Sequence, residues 1–460
     1  MHLNSPFLLG YLLTLIIIGT SVTETIAQWQ VVGSRNFTSG NTTRNGKSLT
    51  TVNGSPFVAY IDNANNSKLK VTKFDGTNWV DVGPTTLPTG PIHTPNIANN
   101  NGVIYVAYQD LNASRKNSVI KFDGTNWTYV GSPGFSPDEA RFQSIAFYNG
   151  EPYVAFEDKN ASYESSVMKF NGTNWVYVGS SGFTTGYSAG QSVYNKIAFN
   201  DSIPYVIYVS VASNPTGPPI AETKVMKFKN STWMPVGGTT GYNNAGAGQQ
   251  SIAFLNGEPY FSFLDWNHFK ATVKKFDGNN WVNIGTAGFS SDLAPDPQIA
   301  INNGIPYIAY RDFGASEKLT VMRYDGSNWV PVGGTTGVSP SKIIRADISI
   351  DNNVIYVAFV DTINPNSGKL TVMSYNIVNT SLEKMETMNK SFQIYPNPVT
   401  NLLTIKTEDE VEYIAVLTMN GQELLRTKSQ SIKLDTLPQG MYLIQIKTKK
   451  SIGYKRFTKT

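Results

Sequence analysis

Cysteine is absent from all 460 residues. No disulfide can staple this fold and no thiolate can serve as nucleophile or soft-metal ligand, so stability has to come from packing. Histidine is scarce as well, with 3 in the chain, of which His2 lies at the extreme N-terminus and only His93 and His268 lie in the body. There is no HExxH pair and no Walker loop, and neither a cofactor nor a metal site is expected. Charged residues make up 15% of the chain and the net charge is only +4. Residues 382–460 hold 12 Lys/Arg against 8 Asp/Glu, which leaves the rest of the chain close to neutral. A near-neutral body argues against nucleic acid as partner, because phosphate binding draws its affinity from clustered cations.

Long apolar runs are confined to the start. Phe7-Leu8-Leu9 to Ile16-Ile17-Ile18 turns polar and reaches Thr25-Ile26-Ala27, the shape of a secretory leader cut after Ala27, although no Lys or Arg precedes the run. The run is broken by Gly10 and Tyr11 and falls short of the ~20 apolar residues that a spanning helix needs. No transmembrane helix is therefore expected in the mature chain. Beyond the leader the chain is rich in Gly, Asn, Tyr and Trp without helical periodicity, which indicates an all-β protein.

Repetition dominates the sequence. The strings KFDGTNWVDVG, KFDGTNWTYVG, KFNGTNWVYVG, KFKNSTWMPVG, KFDGNNWVNIG and RYDGSNWVPVG place Trp79, Trp127, Trp175, Trp233, Trp281 and Trp329 at spacings of 48, 48, 58, 48 and 48. Each period divides into four short β segments. In the third these are Ser144 to Phe147, Pro152 to Phe156, Val167 to Phe170 and Asn174 to Val178. Asn149-Gly150 joins the first two, and the same pair recurs at 53–54, 101–102, 256–257 and 303–304. Asn-Gly between apolar runs favours a type I′ hairpin, whose two central residues need positive φ. Segments such as PYVAF are continuously apolar, as strands covered on both faces are. Radially stacked four-stranded sheets produce that burial, so the expected fold is a β-propeller.

The ends set the expected blade count. A Trp due at position 377 is replaced by Ile377, leaving the last unit with three strands, while Trp29-Gln30-Val31-Val32-Gly33 supplies a fourth. Seven blades are expected, closed by the N-terminal strand, which removes an open edge. The propeller is placed at 28–381 and a linker at 382–391.

Residues 392–460 are of another kind. Phe392-Gln393-Ile394-Tyr395-Pro396-Asn397-Pro398 is followed by Leu403-Thr404-Ile405, Asn420-Gly421-Gln422, Leu437-Pro438-Gln439-Gly440-Met441-Tyr442-Leu443-Ile444 and a basic end, Lys455-Arg456. In this order YPNP, NGQ and LPxGMYLI resemble the type A C-terminal sorting domain of the type IX secretion system of Bacteroidetes. The resemblance implies a small Ig-like β-sandwich, recognised by the secretion machinery and removed by a sortase-like peptidase, with the protein then anchored at the surface or released.

Two recurring features read as structure. Asp62, Asp110, Asp158, Asp265, Asp312 and Asp361 close the second strand of six units, where Asp commonly ties its own turn. Phe37, Leu87, Phe135, Phe183, Tyr242, Phe289 and Val338 follow each Trp and read as packing between blades. Gly186-Tyr187-Ser188-Ala189-Gly190 fits the G-x-S-x-G pattern, but it lies in a Gly/Ser loop with no helix to follow. No catalytic residue is assigned. Function is sought where the repeat is broken: extra residues before the fourth unit and in Ser210–Glu222, and Asp265-Trp266-Asn267-His268-Phe269-Lys270 in the fifth. Loop residues on a rigid scaffold are where binding usually lives. Trp266, His268, Tyr187 and Tyr194 are the candidate ligand-binding residues, on one face of a noncatalytic propeller that binds a glycan or a protein. The alternatives are an extracellular carbohydrate-active hydrolase or lyase, and a structural adhesin.

Overall fold

A computed structural model describes residues 28–84, 87–184, 192–212, 220–237, 242–243, 250–364, 367–377, 392–407, 409–418, 423–448 and 452–460. Apart from three single-turn 3-10 helices, the elements among the described residues are β-strands. No helix among them is long and apolar enough to cross a membrane.

The third unit shows how the repeat folds. Strands Ala140–Tyr148, Glu151–Asp158, Glu164–Phe170 and Trp175–Tyr177 form one antiparallel sheet in chain order. Asn149 and Gly150 turn the first hairpin at φ 49° and 80°, the left-handed pair that a type I′ turn requires. Asn171 organises the last turn, its Oδ1 accepting from the amides of Thr173 and Asn174 at 3.0 and 2.8 Å. The continuous apolar run of the second strand is explained by its two neighbours. Val154 and Phe156 pack with Ala107 and Val119 of the preceding sheet, while Ala155 packs with Val206 and Tyr208 of the following one.

Residues 30–376 hold seven such sheets among the described residues, here numbered from the one that begins at Lys47; five have four strands, and the fourth and seventh each gain a two-residue strand, Tyr242–Asn243 and Thr42–Thr43. The first strand of each packs against the first strand of the next, and that of the seventh sheet against that of the first. The fold is therefore a β-propeller whose first strands surround a central channel. Sheet 7 is made of Ile343–Asp351, Val354–Asn364 and Ser367–Asn376, completed by the N-terminal strand Gln30–Val31, which pairs with Ser374 and Met373.

The repeated tryptophans lock neighbouring sheets together. Trp127 donates its indole N–H to the carbonyl of Val82 in the preceding sheet at 2.7 Å, and Trp175, Trp233, Trp281 and Trp329 repeat that bond at 2.7–2.9 Å. Trp79 reaches Val32 at 2.9 Å, and Trp29 reaches Val332 at 3.0 Å, so the N-terminal segment takes its place in the same series. The apolar residue after each Trp is the second half of the lock. Phe37 stacks on Trp79, Phe135 on Trp175, Phe183 on Trp233 and Phe289 on Trp329, with ring centroids 4.0–4.7 Å apart. Parallel offset rings at this distance add to the burial of both aromatics.

Sheet 4 departs from the sequence expectation in one respect. Its extra residues read as loop in the sequence, yet strands Ile203–Ala212 and Ile220–Lys229 extend together, pairing Val211 with Ala221 and Ala212 with Ile220. A β-branched run on either side of the connection favours continued pairing over an open loop.

Residues 392–460 form a β-sandwich. Phe392–Tyr395, Leu402–Thr407 and Ser431–Lys433 make one sheet, and Val411–Thr418, Glu423–Thr427, Gly440–Thr448 and Ile452–Lys459 make the other. Leu403, Ile405 and Ile432 from the first meet Ile414, Val416, Ile444 and Phe457 from the second in a single core.

Candidate functional site

The propeller is most irregular where its first strands begin. Between His93 and Asn96, Arg141 and Ser144, Val193 and Lys196, and Ile343 and Ala346 the register slips, so sheets 2, 3, 4 and 7 each carry a bulge at the same level. Thr94, Phe142 and Tyr194 stand in those bulges at φ 46°, 50° and 64°. A left-handed backbone is unfavourable for a β-branched or aromatic residue, at ~1–3 kcal/mol each, and such strain gathers where a side chain must be aimed. Here it turns three consecutive strands toward the channel mouth. The Phe142 and Tyr194 rings meet at 4.9 Å, and Thr94 Oγ1 donates to Gln143 Oε1 at 3.1 Å, tying sheet 2 to sheet 3.

Charge is concentrated at the same mouth. Lys47 Nζ lies 2.9 Å from Asp347 Oδ2, and Arg345 lies 3.2 Å from the other carboxylate oxygen. Burial drives the Lys47 ammonium down to about 8, and Arg345 adds to that push while Asp347 opposes it. For Asp347, burial pushes the carboxyl up, but Arg345, Lys47 and Lys196 outweigh it and hold it at about 2. Burial and Arg345 also lower Lys196.

A wider cleft of about 320 Å³ adjoins the mouth and shares Asn45, Thr94 and Phe142 with it. His93, Gln109, Arg115, Glu139 and Arg141 also line it. Glu139 accepts from Arg141 Nε at 2.8 Å, and Arg141 lies over the Tyr163 ring at 4.9 Å. Glu157, paired across the sheet with Arg141, is buried with neither carboxyl oxygen hydrogen-bonded. Burial raises it to about 7, against the pull of Arg141 and with a push from Glu139.

Of the four residues singled out from the sequence, the three described ones fall in two places. Tyr194 lines the mouth, which includes neither Trp266 nor His268. Trp266 is 46% and Phe269 59% exposed on the loop of sheet 5, their ring centroids 6.4 Å apart. His268 Nδ1 is 2.9 Å from Asp265 Oδ2 on the same loop. Tyr187, with the rest of the G-x-S-x-G segment, lies outside the described residues. Four of the six Asp residues tie their own turns, Asp62, Asp110, Asp158 and Asp265 each accepting from the amide two residues on at 3.0–3.1 Å, whereas Asp312 accepts from the Thr320 hydroxyl and Asp361 from Arg35, Ser341 and Thr371. Among the described residues no group of three or more His, Asp or Glu is placed to hold a metal.

Lys47, Phe142, Lys196, Arg345, Asp347 and Glu157 do not stand out in the sequence as Trp266 does. A signal exists all the same. At the register level of Lys196 and Asp347 the first strands read Ser48, Asn96, Ser144, Lys196, Ser251, Gln298 and Asp347, a polar position that changes from sheet to sheet where neighbouring positions repeat.

Fold and terminal sandwich together define an exported β-propeller protein. Residues 393–460 match the family of secretion system C-terminal sorting domains, which makes this a type IX-secreted protein, attached to the outer surface or released. No curated protein matches the chain. Among solved structures, the chain is similar to a Trypanosoma rangeli sialidase in complex with the inhibitor DANA, at 10% identity over 81% of this chain and 87% of that one, TM-score 0.43. It is also similar to a polysaccharide lyase, an ulvan lyase, at 12% identity over 77% and 99%, TM-score 0.48. A Bacillus licheniformis endo-arabinanase matches at 14% identity over 52% and 94%, TM-score 0.31.

Proposed function

We propose that this protein is a seven-bladed propeller, made with a cleaved leader over 1–27 and joined by a linker at 382–391 to its sorting domain, that binds a glycan noncatalytically outside the cell. The observation that carries this reading is the strained backbone at Thr94, Phe142 and Tyr194, which aims blade-specific side chains at one mouth. Strained backbone gathers at ligand clamps, where it positions a contact. The adjoining cleft, at about 320 Å³, falls in the range of small-ligand sites and combines the Phe142 ring with polar groups suited to a sugar.

The second reading, a carbohydrate-active hydrolase or lyase, is favoured by the carboxyls Glu139 and Glu157: burial pushes Glu157 up to about 7, while Glu139 accepts from Arg141. Against it, the Glu157 oxygens are enclosed and do not reach the cleft surface. Incubating the purified mature protein with a panel of polysaccharides separates the readings. Saturable binding without release of reducing ends or unsaturated products supports the binder; turnover that is lost in Glu139→Gln overturns it.

A further inference from the structure

We infer that the channel mouth is an anion site, with Lys47, Lys196 and Arg345 as its wall, that takes a carboxylate or sulfate group carried by an acidic polysaccharide. The inference deepens the proposed glycan reading and rests on it. Three cations share a single carboxylate, Asp347, which is in ion-pair contact with Lys47 and Arg345. Lys196 feels Asp347 at longer range and makes no ion pair among the described residues. Two positive charges are thus left over. Arg345 is buried, and its Nε has no acceptor among the described residues. A buried donor without an acceptor is costly, and an incoming anion removes that cost. Burial is the main cause of the lowered Lys47 ammonium, and Arg345 and Lys196 add to it as like charges close by.

Size selects what can enter. The mouth offers about 40 Å³, room for a few waters or one acid group and too little for a sugar ring. The ring itself has the neighbouring cleft of about 320 Å³, where Arg115 and Arg141 face Glu139 as the one carboxylate of the lining. An acidic sugar therefore fits with its ring over the cleft and its acid group in the mouth. Charge-assisted bonds to Lys and Arg are the stronger ones, and guanidinium suits carboxylate and sulfate alike.

The mature full-length chain is titrated calorimetrically with polygalacturonate, dextran sulfate, uncharged dextran and a single-stranded oligonucleotide. One or both acidic polysaccharides are expected to bind and dextran is not; which of them binds tells carboxylate from sulfate. Lys196→Gln should weaken that binding about tenfold or more, the scale of one lost charge-assisted bond. It leaves Asp347 its two contacts, so the melting temperature should hold, and Lys196→Arg should keep most of the affinity. Equal binding of dextran, an oligonucleotide bound as tightly as the acidic polysaccharides, or unchanged affinity in Lys196→Gln overturns the anion site. If dextran binds, is lost in Tyr194→Ala and ignores Lys196→Gln, the mouth remains the glycan site and only the anion inference fails. Absence of binding to every polysaccharide overturns both.

Discussion

Glu157 offers a quantitative check on how this interior is wired. Its carboxyl lies buried at the end of the second strand of sheet 3, both oxygens without a partner, at about 7. In the unfolded chain the same group has the ordinary value of 4.5. Below pH 4.5 both states hold the proton and Glu157 contributes nothing to the pH dependence. Between pH 4.5 and 7 the unfolded chain releases its proton while the native chain keeps it, so unfolding is favoured as pH rises; above 7 the loss is complete. At ~1.4 kcal/mol for each pH unit of that window, the total is on the order of 3 kcal/mol. Glutamine at 157 has a similar shape and does not titrate. Urea denaturation of the mature chain and of Glu157→Gln, followed at pH 4, 6 and 8, isolates the effect, because every other titrating group is common to the two proteins and cancels in their difference. The variant is expected to gain about 3 kcal/mol on the parent between pH 4 and pH 8, with nearly all the change above 4.5. Two stability curves that stay parallel over this range would refute the argument, and would mean that the carboxylate is solvated or paired after all.

Ring closure is expected to depend on Trp29. Trp29→Ala removes the bond to Val332 and the ring that packs beside Tyr375, and should cost roughly 3 kcal/mol, at the low end of what a fully buried large aromatic contributes, with dimers or larger species on size exclusion as the freed edge pairs. Trp281 and Trp266 should part ways. Trp281→Ala, at a position only 8% exposed, is expected to lower the unfolding free energy in urea by about 3–5 kcal/mol, whereas the effect of Trp266→Ala, at 46%, should stay within about 1 kcal/mol. Removal of 393–460 is expected to abolish export in the native host while leaving the propeller's circular dichroism unchanged; normal secretion of the shortened protein, followed by immunoblot of cells and medium, would contradict the sorting role.

The scaffold was legible because its signals are local. Asn-Gly pairs demand left-handed turns wherever they stand, and Trp at a fixed spacing marks the strand that meets the preceding sheet. Of the described residues that line the mouth, only Tyr194 stands out in the sequence as a candidate. Attention to broken spacing leads to the sheet 5 loop, where Trp266 and His268 engage Phe269 and Asp265 and do not reach the mouth. The mouth is assembled from residues some fifty apart, and a bulge at the start of the first strand in sheets 2, 3, 4 and 7 shifts which side chain faces the channel. A period-2 reading of those strands places Phe142 and Arg345 on the wrong side. Lys196 and Asp347 also look like ordinary surface charges until the first strands are brought into a ring. Glu157 has a quieter signal: the position before the turn Asp reads Ile61, Gln109, Glu157, Val209, Leu264, Arg311 and Val360, where a lone carboxylate is out of keeping with mostly apolar neighbours.

The pairing of Val31 with Met373 sets an order on folding. Sheets 1 to 6 need only their immediate neighbours and can stack as the chain emerges, in the manner of any linear array. The clasp cannot form until sheet 7 exists, some 340 residues after the strand that completes it, and bringing such distant segments together is the slow, entropically opposed step. Until then the molecule is an arc with two bare ends, each ready to accept a strand from another copy. A chain interrupted anywhere before residue 373 stays in that state, so the sorting domain, lying beyond the clasp in the sequence, is present only on chains long enough to have closed.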